Sequence, residues 1–233
     1  MTEDYQYLFE EMSAMGSKRV AVIIGRFNPP TIGHYAIFDK VKRVLHANKK
    51  LGIDVVPVVM VIGGSKSDDD RQRNPLSIDD RISFMKASGK ADGVIFMSAR
   101  NAFAALASLR GSDMEPIAVA AGSDRIEDYK RILDTNFKTP DGKPIKHFKI
   151  TLDRDKDAGV EQNSEDKVAA LDKILDNLSK SGEIDIDLVS ASLARRAVNR
   201  EMHKEFSILT GLQSKPVLAD KMFDKIQFSL KAS

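Results

Sequence analysis

The chain contains no cysteine and no tryptophan. Without cysteine there are no disulfides, no thiolate zinc sites and no cysteine nucleophile. No run of about 18 apolar residues occurs either, so the sequence holds no candidate membrane-spanning helix. Net charge is almost absent: 36 Lys and Arg stand against 34 Asp and Glu, a formal excess of +2. Such a balance offers no general electrostatic grip on nucleic acid or on an anionic membrane surface. The start, MTEDYQYLFEEM, is acidic and has no apolar signal core, so a cytoplasmic location is the expectation.

What is present is an ordinary globular composition. The 233 residues are 42% hydrophobic and 30% charged, enough for one large domain with appended helices. Lys18 to Ile24 reads KRVAVII, a β-branched run of the kind that fills a buried parallel strand. After two prolines, Ile37, Phe38, Val41, Val44 and Leu45 recur at helical spacing between Gly33 and Ala47. Strands are expected again at Val55–Ile62, Val94–Met97 and Ile117–Ala121. Helices are expected after Ser77, over Asn101–Leu109 and from Asp124. This alternation predicts an α/β fold, a Rossmann-like doubly wound parallel sheet with ligands at the carboxyl ends of its strands.

The second half is less regular. Thr139–Lys146 is rich in turn residues, and Asp153–Asp157 reads as a charged loop. Ser164 begins a helical pattern through Val168, Leu171, Ile174, Leu175 and Leu178. Ile184–Val189 is taken as the last strand and Ser190–Met202 as a helix. Pro216–Leu230 is a terminal helix, with Leu218, Met222 and Ile226 four apart. Three parts are therefore expected: an N-terminal helical arm over 1–17, a main domain over 18–202 and a C-terminal helical extension over 203–233. The arm carries Tyr5, Leu8, Met12 and Met15 on one helical face, which suits packing on its own domain or docking to another subunit. Oligomerisation, or attachment to a larger assembly through the terminal helices, is the corresponding partner expectation.

The segment with the clearest chemistry is Gly25–His34, GRFNPPTIGH. A strand that stops at a glycine and leads into a helix presents free N–H groups and a positive dipole end to an anion. Pro29 and Pro30 stiffen the connection, while Gly25 and Gly33 leave room for close backbone approach. His34 lies in the first helical turn, where its ring can donate to a phosphate oxygen. Arg26 adds a fixed cation and Thr31 a hydroxyl.

This string resembles the HxGH or TxGH motif of the nucleotidyltransferase superfamily, the cytidylyltransferase-like enzymes. The Thr31 form is similar to phosphopantetheine adenylyltransferases, and the G-R-F-x-P opening to archaeal-type nicotinamide mononucleotide adenylyltransferases. Three further segments match in the order that the family requires: RNPLSIDDR at Arg73–Arg81, GSD at Gly122–Asp124 and SASLAR at Ser190–Arg195. The resemblance implies attack by an acceptor phosphate on the α-phosphate of a nucleoside triphosphate, with pyrophosphate released. It implies that His34 stabilises charge at the α-phosphate with support from Thr31, and that Arg26 and Arg73 bind phosphates. Arg195, with Ser190 and Ser192, would hold the β- and γ-phosphates. Phe27 and Asn28 belong to the same nucleotide-binding loop, Gly122 lets the nucleotide lie on the strand end, and Asp124 accepts from the ribose. Mg²⁺ would arrive with the triphosphate, no protein-borne metal site being expected.

Plainer roles stand beside these. Arg73 can pair with Asp68–Asp70, itself read as a solvated acidic loop. Arg81 is read as a surface ion pair beside Asp79 and Asp80. Asp124 suits a helix N-cap as well as a ribose, and Ser190 and Ser192 suit caps as well as ligands. Phe96, Phe103 and Tyr129 are the aromatic residues available to stack on a base. The function expected is transfer of AMP from ATP to a small phosphorylated acceptor such as nicotinamide mononucleotide, with a cytidylyltransferase sharing the same core. The other class is a protein of this fold without turnover, serving in a larger assembly.

Overall fold

The computed structural model describes residues 18–49, 54–63, 71–110, 112–138, 141–143, 145, 147–152 and 164–232. The arm over 1–17, the acidic run Asp68–Asp70 and the charged loop Asp153–Asp157 lie outside the described residues. The chain alternates as anticipated through β1 (Lys18–Gly25), α1 (Ile32–Lys49), β2 (Val56–Ile62), α2 (Ile78–Ser88), β3 (Ile95–Ala99), α3 (Ala102–Arg110), β4 (Met114–Gly122) and α4 (Ile126–Asn136), and an unanticipated strand β5 (Phe148–Leu152) follows. All pairings are parallel, in the order β3-β2-β1-β4-β5. This is the doubly wound α/β arrangement, with β1 at its centre and both of its faces covered.

Period-two alternation along β1 separates two cores. Ala21 and Ile23 face Phe38, Val41 and Leu45 of α1 and Met85 of α2. Val20, Val22 and Ile24 face Leu106 and Leu109 of α3 and Leu133 of α4. Each such aliphatic or aromatic side chain contributes about 1.5–3 kcal/mol by leaving water, which is why β1 tolerates no polar residue between Val20 and Ile24.

A third core lies apart from the sheet. It joins α5 (Ser164–Ser181), α6 (Ala191–Asn199), α7 (His203–Leu209) and α8 (Pro216–Lys231) around Leu175, Leu193, Phe206, Met222 and Phe223. Residues on either side of position 202 share this core. Helix α2 connects the layers, since Met85 enters the first core and its neighbour Phe84 the third. Arg196 grips Asp172 with two bonds of 2.7 Å, and Arg200 reaches Asp176 at 2.8 Å, clasping α6 to α5.

Two elements depart from the sequence reading. Ile184–Val189 is not a strand: it contains a 3-10 turn over Ile186–Leu188, and the fifth strand is Phe148–Leu152. The carboxylate of Asp185 accepts from the N–H of Asp187 at 3.1 Å, a local bond that competes with any ladder. In addition, the expected helix Ser190–Met202 ends at Asn199, and a separate helix starts at His203.

At the amino end of β5, His147 is buried and its Nδ1 lies 3.0 Å from Asp134, which also takes a bond from Lys130. Burial holds the imidazole below its ordinary pKa of 6.5, against the pull of the Asp134 carboxylate. Burial pushes Asp134 up, but the bonds from Lys130 and His147 outweigh it and leave that carboxyl below its ordinary value. Both shifts give the same sign. As pH falls below about 6.5 the unfolded chain takes a proton at His147 that the folded chain resists, and stability drops at up to about 1.4 kcal/mol per pH unit across that window. Asp134 extends the loss once pH falls below its unfolded value of 3.8. The melting temperature is therefore expected to fall between pH 7 and pH 5, and His147→Gln to flatten that slope; an unchanged slope would refute the assignment.

Candidate active site

Strand order reverses at β1, whose neighbours β2 and β4 lead to opposite sides of the sheet. The crevice at the carboxyl ends of β1 and β4 is where such a sheet receives a ligand. Gly25 ends β1 and Gly122 ends β4, and the pairing of Ile23 with Ala120 brings these glycines to the same level. The connection from Gly25 to α1 is held unusually firmly. Phe27 is bulky yet has φ 51°, a left-handed conformation that costs about 1–3 kcal/mol and collects at functional sites. Its ring is buried, and a Cβ on Gly25 would come within 2.8 Å of it.

Asn28 is equally buried. Its amide oxygen accepts from the Leu76 N–H and its amide nitrogen donates to the Leu76 carbonyl, both at 3.1 Å. The same nitrogen lies 3.5 Å from Asn74 Oδ1. Asn28 thus ties the loop after β1 to the segment after β2, directly beside Arg73, which is exposed on the turn at 71–73. The side chain expected to meet nucleotide is therefore fully used in fastening the loop that carries it.

Thr31 and His34 form the head of α1. The Thr31 N–H donates to His34 Nδ1 at 3.0 Å, and the Thr31 hydroxyl lies 2.8 Å from the same atom. A backbone N–H can only donate, so Nδ1 holds the lone pair and the ring proton sits on Nε2. Phe27 supports the ring edge-on at 5.0 Å between centroids. His34 thereby presents an N–H from a half-buried ring at the positive end of an 18-residue helix. Gly33 makes room of a different kind from that expected: its missing Cβ would sit 3.2 Å from the Val189 carbonyl, so α1 packs closely on the approach to α6.

Helix α6 closes the arrangement. Ser190 is its N-cap, accepting from the Leu193 N–H at 3.1 Å. Arg195 donates through Nη1 to the Asn28 carbonyl and through Nη2 to Ser192 Oγ at 3.1 Å. The SASLAR segment and the GRFNPP loop, 167 positions apart, thus meet through one guanidinium.

On the β4 side, Arg26 and the Asp124–Arg125 pair share one electrostatic neighbourhood around Tyr129. Burial holds the Tyr129 hydroxyl above its ordinary pKa, while Arg125 and Arg26 pull it down. Asp124 is not a helix cap: α4 starts at Ile126, its N-cap position is Arg125, and no side chain caps it. Asp124 is exposed and pairs with Arg125 at 3.5 Å. Of the other aromatic candidates, Phe96 packs on the first core and Phe103 stands 58% exposed at the start of α3.

Arg81 is the residue that sequence reasoning placed wrongly. It is 2% exposed and makes no surface ion pair with Asp79 or Asp80. Its guanidinium donates to the carbonyls of Arg26 (2.7 Å), Ile62 (3.0 Å) and Ser77 (3.0 Å). Asp80 instead pairs with Lys225 of α8. Among the described residues no cluster of acidic and histidine side chains is suited to a metal ion, and no helix is long and apolar enough to cross a membrane.

A parallel sheet with a glycine-ended central strand, a histidine at the following helix head and arginines converging on that loop define a nucleotidyltransferase. The chain belongs to the cytidylyltransferase-like family, whose pattern matches residues 22–185, from within β1 to the cap of the 3-10 turn. No curated protein matches it. Two solved structures of nicotinic acid mononucleotide adenylyltransferase from Plasmodium falciparum, complexed with NaAD and with APC, are similar at 15% and 13% identity. Each comparison covers 89% of this chain and 98% of the other, with TM-scores of 0.41 and 0.42.

Proposed function

We propose that the chain transfers AMP from ATP to a small phosphorylated acceptor, with nicotinamide mononucleotide the first to test. The observation that carries this reading is His34 at the head of α1, its Nδ1 occupied by the Thr31 N–H and its proton therefore on Nε2. An acceptor phosphate oxygen attacks the α-phosphorus, the bond to the bridging oxygen breaks, and pyrophosphate leaves with the electron pair. No covalent protein intermediate is needed, so positioning and neutralisation of charge supply the rate. The His34 Nε2–H donates to the α-phosphate oxygen as its charge grows. Arg26 and Arg73 hold phosphate oxygens at the mouth of the crevice.

Arg195 takes the β- and γ-phosphates together with Ser190 and Ser192, and its Nη1 bond to Asn28 sets the guanidinium over the loop. Gly122 allows the nucleoside to lie on the end of β4, where Asp124 accepts from the ribose. Mg²⁺ would come with the triphosphate and be held by its phosphate oxygens, since the arginines and N–H donors around the crevice serve phosphate rather than a metal; it would neutralise phosphate charge. The test is pyrophosphate release from ATP and from CTP with a panel of acceptors that includes nicotinamide mononucleotide and a phosphopantetheine. Turnover is expected with ATP and one acceptor. Absence of turnover with every pair, together with absence of triphosphate binding, would overturn the proposal.

A further inference from the structure

We infer that the outer face of α8 is a two-fold interface between copies of this chain. The inner face of the helix, with Met222, Phe223 and Ile226, is buried in the third core. Outward, Val217 and Phe228 are 82% and 76% exposed, more than any other large hydrophobic among the described residues. They are eleven positions apart, close to three turns, so they lie on one line about 16 Å apart along the axis. Between them on the same line are Lys221 and Asp224, both exposed.

This stripe complements itself when reversed. If a second copy of α8 runs antiparallel, with the two-fold axis at the level between Met222 and Phe223, Val217 faces the second copy's Phe228. Lys221 faces the second copy's Asp224, and each contact occurs twice, as an isologous interface requires. Asp220 and Lys225 fall opposite each other in the same register. They already have partners in their own chain, His203 at 3.5 Å and Asp80, and only extend the seam. A parallel copy would set Lys221 against Lys221 and Asp224 against Asp224. An antiparallel slide of one turn sets Val217 or Phe228 against a charge. Only one register therefore satisfies both the apolar and the charged positions. Phe228 also borders an open cavity of about 510 Å³ lined by Pro75, Leu76 and Ser229, which gives an incoming side chain room to seat.

A seam along one 16-residue helix is about 24 Å long, at the small end of specific interfaces, so association in the micromolar range is expected. Sedimentation of the full chain from about 1 µM to about 1 mM should show monomer passing to dimer. K221D and D224K should each weaken the dimer at least about tenfold by placing like charges opposite each other. Mixing the two variants should restore association as a heterodimer, and the double variant K221D/D224K should restore it as a homodimer. F228S should abolish it, with circular dichroism unchanged because all three positions are exposed. A chain that stays monomeric throughout, a dimer indifferent to these changes, or a failure of the mixed and double variants to recover would overturn the proposal.

Discussion

Replacing His34 with alanine is expected to lower kcat for pyrophosphate release by about 10²–10³-fold, with triphosphate affinity changed only a few-fold. The asymmetry follows from where the charge develops. In the proposed reaction the ground-state phosphates are held mainly by fixed cations, Arg26, Arg73 and Arg195, which the substitution leaves in place. In the same proposal the Nε2–H acts on the α-phosphate oxygen as it gains charge, so its loss is expected to fall on the transition state and to appear in kcat rather than in binding. Thr31→Val is the informative control. It removes the hydroxyl 2.8 Å from Nδ1 but keeps the backbone N–H that fixes the tautomer. A loss of about tenfold or less is expected, because the ring keeps its proton on Nε2. Equal losses for the two variants would move the chemistry from the imidazole to the Thr31 hydroxyl. An unchanged kcat for His34→Ala, measured with saturating ATP and acceptor, would remove His34 from the reaction.

The central sheet was readable from sequence because its signals are local. An apolar β-branched run that stops at Gly25 specifies a buried strand and its end, and the Thr31-to-His34 spacing places the histidine in the first turn of α1. The fifth strand was not readable for an equally physical reason. As an edge strand paired, among the described residues, only with β4, Phe148–Leu152 carries the exposed Lys149, which ion-pairs with Glu127, where a central strand would carry an apolar residue. Conversely, IDIDLV at 184–189 alternates like a strand, yet the Asp185 carboxylate bonds the Asp187 N–H at short range and caps a 3-10 turn. The site glycines show a third kind of limit. Sequence marks Gly25 and Gly33 as positions needing space, but what takes that space is the ring of Phe27 in one case and the Val189 carbonyl in the other. Contacts between segments distant along the chain, such as Arg195 to Asn28, leave no periodic trace at all. Only the family resemblance brought those residues together in advance.

Arg81→Leu is expected to destabilise the fold by about 3–5 kcal/mol and to weaken triphosphate binding with it. The guanidinium spans the carbonyls of Arg26 and Ile62, which lie just past β1 and at the end of β2, and returns through Nε to Ser77 at the start of α2. Leucine has roughly the right apolar bulk but leaves these carbonyls without that donor inside the protein, where an unmet acceptor costs about 1–3 kcal/mol. Arg81→Lys should recover only part of the loss, because a single ammonium cannot span three acceptors in the planar fork geometry. Function is affected because Arg26 precedes the strained Phe27. Once its carbonyl is released, the loop that carries Asn28 and leads to Thr31 loses one of its anchors and keeps the Asn28–Leu76 pair and the Arg195 bond to the Asn28 carbonyl. Thermal unfolding measures the first effect and triphosphate titration below the new melting temperature the second. A variant that melts like the parent would mean that water replaces the guanidinium at little cost. A variant that is destabilised yet binds triphosphate normally would confine Arg81 to the junction of the strands and free the loop from it.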